Sequence, residues 1–117
     1  ICPVDETVER AKRFTADGFR ILKLKGGNNP EEDARRLIKV AEELGDGIRL
    51  RFDANQGYSR SQALEFLKAV EDIPLELLEQ PTGKEDNASL GHIASNSTVP
   101  VMADESLLSL MDAFKLA

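Results

Sequence analysis

Four charged residues recur along this chain at nearly constant intervals: Lys25, Asp53, Glu79 and Asp104 lie 28, 26 and 25 residues apart. Each interval matches one strand-plus-helix unit, and each residue stands at the end of a short apolar run that reads as a strand. The runs cover residues 19–25, 48–53, 75–79 and 99–103. The stretches before, between and after them carry helix signals. Pro3 and Asp5 introduce a segment with Val8, Ala11 and Phe14 on one face, and Gly18 breaks it. Asn29 is placed to cap a helix with Pro30 at its first position and Glu31, Glu32 and Asp33 at the positive end of its dipole. Its apolar stripe is Ala34, Leu37, Ile38, Ala41 and Leu44, and Gly45 and Gly47 end it. Ser59 and Gln62 form a capping-box pattern before Ala63, Leu64, Leu67 and Val70. A weaker helix is expected over 85–94, and Ser109 with Asp112 caps a last one holding Ala113 and Phe114. Strands separated by helices cannot pair as hairpins, so the prediction is an α/β fold with a right-handed parallel sheet covered by helices.

Composition closes off several functions. With 117 residues, 41% hydrophobic and 31% charged, the chain can bury one modest core. No apolar run approaches the roughly 20 residues that span a bilayer. A net charge of −6, with 15 Lys and Arg residues scattered among acids, disfavours a nucleic-acid partner. Cys2 is the only cysteine, so an internal disulfide and a cysteine zinc site are both out of reach, and a cytoplasmic setting is expected. Because the chain opens at Ile1 and closes at Ala117 within a predicted helix, it is expected to be a piece of a longer protein.

Alternate strand residues face opposite sides of a sheet, so parity assigns the strand-end groups to a face. Ile48, Leu50 and Phe52 suit the helix side, which turns Arg49, Arg51 and Asp53 to the other, inner face. Leu22 and Leu24 likewise leave Lys23 and Lys25 on that face. Glu79 shares its parity with Leu75 and Leu77, and Asp104 with Pro100 and Met102. All four strand ends are therefore expected to converge where (β/α) barrel enzymes keep their catalysis. One acidic residue at a strand end is ordinarily a turn or cap residue. Three in succession at βα spacing, beside two alternated lysines, call for more, since clustered carboxylates raise one another's pKa unless a cation neutralises them. A hard divalent ion with oxygen ligands fits, Mg²⁺ first and Mn²⁺ as the alternative.

At these residues the sequence resembles the enolase superfamily, in its mandelate racemase/muconate lactonizing enzyme group. The resemblance rests on Lys23-Leu24-Lys25, on Asp53 to Gly57 (Asp-Ala-Asn-Gln-Gly), on Glu79-Gln80-Pro81 and on Ala103 to Ser106 (Ala-Asp-Glu-Ser), in the family's order and across nearly the whole chain. It implies a parallel (β/α) TIM-type barrel of which about four units, half a barrel, lie within residues 1–117. It also implies Mg²⁺ held by Asp53, Glu79 and Asp104, and Lys25 as the acid/base that removes the proton alpha to a substrate carboxylate, giving a metal-stabilised enolate. Lys25 must be partly neutral to act, and Lys23 and the metal cation would favour that; Lys23 would also touch the substrate carboxylate. Glu105 competes with Asp104 as third ligand, but parity and the Asp-Glu-Ser run favour Asp104. Asn55 would help position ligands or substrate, with an ordinary turn role equally open. The implied enzyme is an isomerase: a muconate cycloisomerase, dipeptide epimerase or N-acylamino acid racemase, homo-oligomeric and acting on a small carboxylate. A second lysine for the opposite substrate face, an N-terminal capping domain and the remaining strands would lie outside these residues, and the piece by itself is expected to be poorly stable or self-associating and inactive.

Rival readings fare worse. A response-regulator receiver also carries a mid-chain aspartate, but it needs an acidic pair after its first strand, where Lys23 and Lys25 stand. A calcium loop starting at Asp53 would put its glycine on Tyr58 and its last ligand on Leu64. Gly26 and Gly27 lack the Gly-Lys-Ser/Thr ending of a phosphate loop. His92 reads as a surface or packing residue. A noncatalytic barrel relative would not need the complete ligand set.

Overall fold

A computed structural model describes residues Ile1–Ala117. The elements are α1 (Val4–Ala16), β1 (Ile21–Lys25), α2 (Pro30–Leu44), β2 (Arg49–Asp53), α3 (Arg60–Ala69), β3 (Leu75–Glu79), α4 (Asn87–Ser95), β4 (Val101–Met102) and α5 (Leu110–Leu116). All four strands are parallel, in the order β1-β2-β3-β4. Sequential order is what a barrel wall requires, whereas the doubly wound sheet of a receiver places its second strand outside its first. That rival therefore falls on topology.

The local signals do the work expected of them. The Asn29 side chain accepts from the backbone N–H groups of Glu31 and Glu32. Ser59 and Gln62 close a full capping box on α3. Successive helices α1 to α4 lie side by side over one face of the sheet, and the core forms between them. Phe52 from β2 and Phe66 from α3 are fully buried at its centre with ring centroids 4.6 Å apart. No helix is long and apolar enough to cross a membrane.

Three expectations need correction. β1 begins at Ile21, two residues late, because the Phe19 N–H is spent on the Phe14 carbonyl at the end of α1. β4 keeps only Val101 and Met102 of the predicted 99–103: Pro100 has no N–H to donate, and beyond Met102 the Asp104 N–H turns to a side chain, Gln80 Oε1, at 2.8 Å. The third concerns parity in β3. Leu75 pairs with Leu50, but Leu77 already pairs with Arg51, so Glu76 is an extra residue at a bulge. Leu75 consequently joins the core under the helices while Leu77 and Glu79 face the inner side. Glu79 reaches the expected face only because the bulge reverses the alternation. Glu76 in turn pairs with Arg49 and Arg51, which holds its carboxyl below the ordinary range, the Arg51 hydrogen bond being the main cause.

Candidate active site

The register sets Lys25, Asp53, Glu79 and Met102 side by side in one row at the carboxyl ends of the strands. Lys23 lies one layer below, paired across from Arg51. Lys23 Nζ donates to Glu79 Oε2 at 2.9 Å and to Oε1 at 3.1 Å, and stands 3.8 Å from Asp53 Oδ2. Lys25 Nζ stands 3.1 Å from the same Oδ2. The acids are buried, Asp53 at 1% and Glu79 at 3% exposure, while the lysine side chains are about half exposed. The Glu79 hydrogen bond is the largest influence on Lys23; it outweighs burial and pushes the ammonium above its ordinary pKa. Lys23 therefore stays a cation at neutral pH.

Asp104 is the outlier. It is exposed, just past the two-residue β4, and its charge reaches Lys23 without a close ion pair. No three His, Cys, Asp or Glu side chains are gathered closely enough to hold a metal ion as they stand. The structure thus brings Lys23, Lys25, Asp53 and Glu79 together and leaves the third expected ligand, Asp104, exposed and without a close partner among them.

The donor set fits a hard cation nonetheless. Asp53 Oδ1 accepts the Asn55 N–H at 2.9 Å, but Oδ2 is shielded from solvent and receives no aligned hydrogen bond, although Lys25 is close enough for an ion pair. A buried carboxylate oxygen in that condition is an open ligand, and all-oxygen donors suit Mg²⁺. Asn55 acts here through its backbone, orienting Asp53 from a left-handed conformation (φ 45°), with its side chain exposed.

Two groups of residues behind the site escaped the sequence reading. From α2, Arg36 donates to the Lys25 carbonyl at 3.0 Å and pairs with Asp33, which also accepts from Tyr58 Oη at 2.6 Å and the Gly27 N–H at 2.8 Å. Burial, followed by the Asp33 hydrogen bond, pushes the Tyr58 hydroxyl far up, so it remains a donor. The clue was present: Asp33 and Arg36 flank Ala34 and Leu37 on the apolar stripe. The second is Gln80, buried completely between Glu79 and Pro81 with φ 35°. The loops themselves are pressed together, since a Cβ on Gly57 would stand 1.8 Å from the Gly27 carbonyl oxygen and one on Gly27 2.0 Å from that of Ala54.

A wall of four parallel strands in sequential order, with lysines and buried carboxylates along its carboxyl edge, is part of a (β/α) barrel, and comparison with known proteins specifies the family. The family model for the enolase C-terminal domain-like fold matches residues 6–117. L-Ala-D/L-Glu epimerase of Thermotoga maritima is 36% identical over 115 residues, covering 97% of this chain and 33% of that protein. Muconate cycloisomerase 1 of Pseudomonas putida is 37% identical over 99 residues, covering 84% of this chain and 26% of that one. A crystal structure of the dipeptide epimerase from Enterococcus faecalis V583, complexed with Mg and L-Leu-L-Tyr, superposes with a TM-score of 0.97 at 34% identity, covering 99% of this chain and 33% of that one. The chain belongs to the enolase superfamily, in its mandelate racemase/muconate lactonizing enzyme group, and corresponds to part of the C-terminal barrel domain. It spans about a third of the length of the curated relatives it matches.

Proposed function

We propose that the full-length protein containing this chain is an isomerase that removes and returns the proton alpha to the carboxylate of a small substrate, with Mg²⁺ held by Asp53, Glu79 and Asp104. The observation that carries the reading is the buried Asp53–Glu79 pair at adjacent strand ends, with Asp53 Oδ2 left as an open acceptor beside two lysines. Mg²⁺, when bound, supplies positive charge to the substrate carboxylate as the proton leaves. Lys25 takes that proton: it ends the inner face of its strand and its half-exposed side chain can lift off Asp53 toward a substrate lying over the carboxyl edge. Lys23, kept cationic by Glu79, is a fixed positive charge for the substrate carboxylate. Asn55 holds Asp53 in place through its N–H.

Several relatives, including solved complexes, are dipeptide epimerases, which makes a dipeptide the first substrate class to assay. Cycloisomerisation is the second reading, supported by the equally similar muconate cycloisomerase, and N-acylamino acids the third, after the N-succinyl Arg/Lys racemase of Bacillus cereus at 30% identity. The rest of the barrel, an N-terminal capping domain, a lysine for the opposite substrate face, a homo-oligomeric assembly and a cytoplasmic setting complete the proposal.

In the full-length protein, Asp53→Asn and Glu79→Gln are expected to weaken Mg²⁺ binding measured by calorimetry; undiminished affinity in both sinks the metal assignment. With substrates drawn from dipeptides, N-acylamino acids and muconate, Lys25→Ala is expected to abolish deuterium exchange at the α-carbon on one face in heavy water. Wild-type exchange on both faces would remove Lys25 from its role.

A further inference from the structure

Every polar atom of Gln80 is used, and the partners lie at the end of β4 and on the three loops that follow β2, β3 and β4, next to the three proposed ligands. Its backbone N–H donates to the Met102 carbonyl and its carbonyl accepts from the Gln56 N–H, both at 2.8 Å. The side-chain Oε1 accepts from the Asp104 N–H at 2.8 Å and the Ser106 N–H at 3.1 Å. Nε2 donates to the Thr82 carbonyl at 3.0 Å and to Ser106 Oγ at 2.8 Å. Two backbone donors on one side and a carbonyl on the other fix which way the amide points. Ser106 Oγ passes a hydrogen bond on to the Lys84 carbonyl at 3.0 Å, and the Lys84 N–H reaches Gln56 Oε1 at 3.0 Å, so the three loops form a closed ring around Gln80.

The strand ladder does not extend to Asp104. β4 ends at Met102, and the Asp104 N–H has Gln80 as its hydrogen-bond acceptor. The residue that bonds the Asp104 backbone is itself covalently next to Glu79 and, through Gln56, tied to the loop leaving Asp53. Gln80 also adopts a left-handed backbone, which costs a non-glycine residue energy and persists only where the surroundings enforce it. Complete burial, full hydrogen-bond satisfaction and a strained φ in one glutamine exceed what holding an ordinary turn requires.

We propose that Gln80 is the positioning residue for the third carboxylate: it fixes the backbone of Asp104 against Glu79 and thereby sets the spacing of the cation ligands. This rests on the reading of Asp53, Glu79 and Asp104 as the Mg²⁺ site. A loop staple with no bearing on the site would lower stability when removed and leave the metal affinity of the folded protein alone.

The test measures Mg²⁺ affinity by calorimetry on the full-length protein, with folding checked by circular dichroism. Gln80→Met keeps the side-chain length and removes the amide; its Mg²⁺ Kd is expected to rise by roughly 10- to 100-fold, as when a residue supporting a metal ligand is lost. Should that variant not fold, Gln80→Asn keeps the amide but draws it back by one methylene, and the same rise is expected. Ser106→Ala removes the hydroxyl that Nε2 touches while sparing both bonds to Oε1, and should bind Mg²⁺ nearly as the parent does. Asp104→Asn separates the two ideas. If it weakens binding and folded Gln80 variants do not, the positioning role is overturned and the ligand set stands. If Asp104→Asn itself binds Mg²⁺ normally, the ligand set fails and takes the positioning role with it. Equal loss in Ser106→Ala and Gln80→Met would reassign the effect to the loop as a whole.

Discussion

Arg36→Met probes the support behind Lys25. The guanidinium is buried and bonds the Asp33 carboxylate, the Lys25 carbonyl at 3.0 Å and the Cys2 carbonyl at 3.3 Å. Methionine fills most of the volume but leaves Asp33 charged, buried and held only by the Tyr58 hydroxyl and the Gly27 N–H. Removing one partner of a buried pair costs about 3–5 kcal/mol, because the other charge is stranded. The lost bond to the Lys25 carbonyl adds about 1 kcal/mol. Set against a typical domain stability of about 5–15 kcal/mol, the change is large. Urea unfolding of the full-length protein should show a lower midpoint at unchanged slope. The stranded charge is the proposed cause, so Asp33→Asn combined with Arg36→Met should recover a substantial part of the loss. A cost under about 1 kcal/mol for Arg36→Met, or no recovery in the double variant, would refute the reasoning.

Gly57→Ala should destabilise by more than the ~1–3 kcal/mol of ordinary overpacking, because its Cβ meets the Gly27 backbone at 1.8 Å, while Gly91→Ala, open around its Cβ in α4, should stabilise by about 0.5–1 kcal/mol. Thermal melts of the two variants check both signs, and a Gly57→Ala protein as stable as its parent would show that the loops are not pressed together. The 117-residue segment alone leaves one side of β1 and one of β4 unpaired and its charged inner face uncovered, so light scattering should find it aggregated or oligomeric. A well-behaved monomer would contradict that.

The fold was legible because each helix carries its own start signal and each strand its own apolar run, so the βα alternation survives errors of a residue or two at the boundaries. The inward acids were legible for a different reason on each strand. Asp53 follows from simple alternation with Leu50 and Phe52. Glu79 does not: alternation with Leu75 would have turned it under the helices, and the bulge at Glu76 restores it. A bulge is a property of two strands in register, which one strand's sequence does not carry. The same holds for Gln80 and Arg36. Each acts on a partner at least 11 residues away, Asp104 in one case and Lys25 in the other, and only the folded chain brings them together.

The acids and the lysines of the site differ in how firmly they are held, and the proposed proton transfer depends on that difference. Asp53 and Glu79 are at most 5% exposed at the side chain and sit in the sheet row, with Asp53 fixed further by the Asn55 N–H. The lysines that neutralise them are 41% and 58% exposed, so water screens and competes for the ammonium end of each pair. Breaking a pair by moving the lysine therefore costs less than breaking it by moving the acid. The acids are the fixed members of each pair, and Lys25, without a hydrogen bond aligned to Asp53, is the freer of the two lysines. Lys23 has two hydrogen bonds to Glu79 and a raised pKa holding it as a cation. One lysine loosely held and one held charged, on alternate positions of the Lys-Leu-Lys sequence of β1, is the difference on which the proposed division of proton transfer to Lys25 and charge support to Lys23 rests.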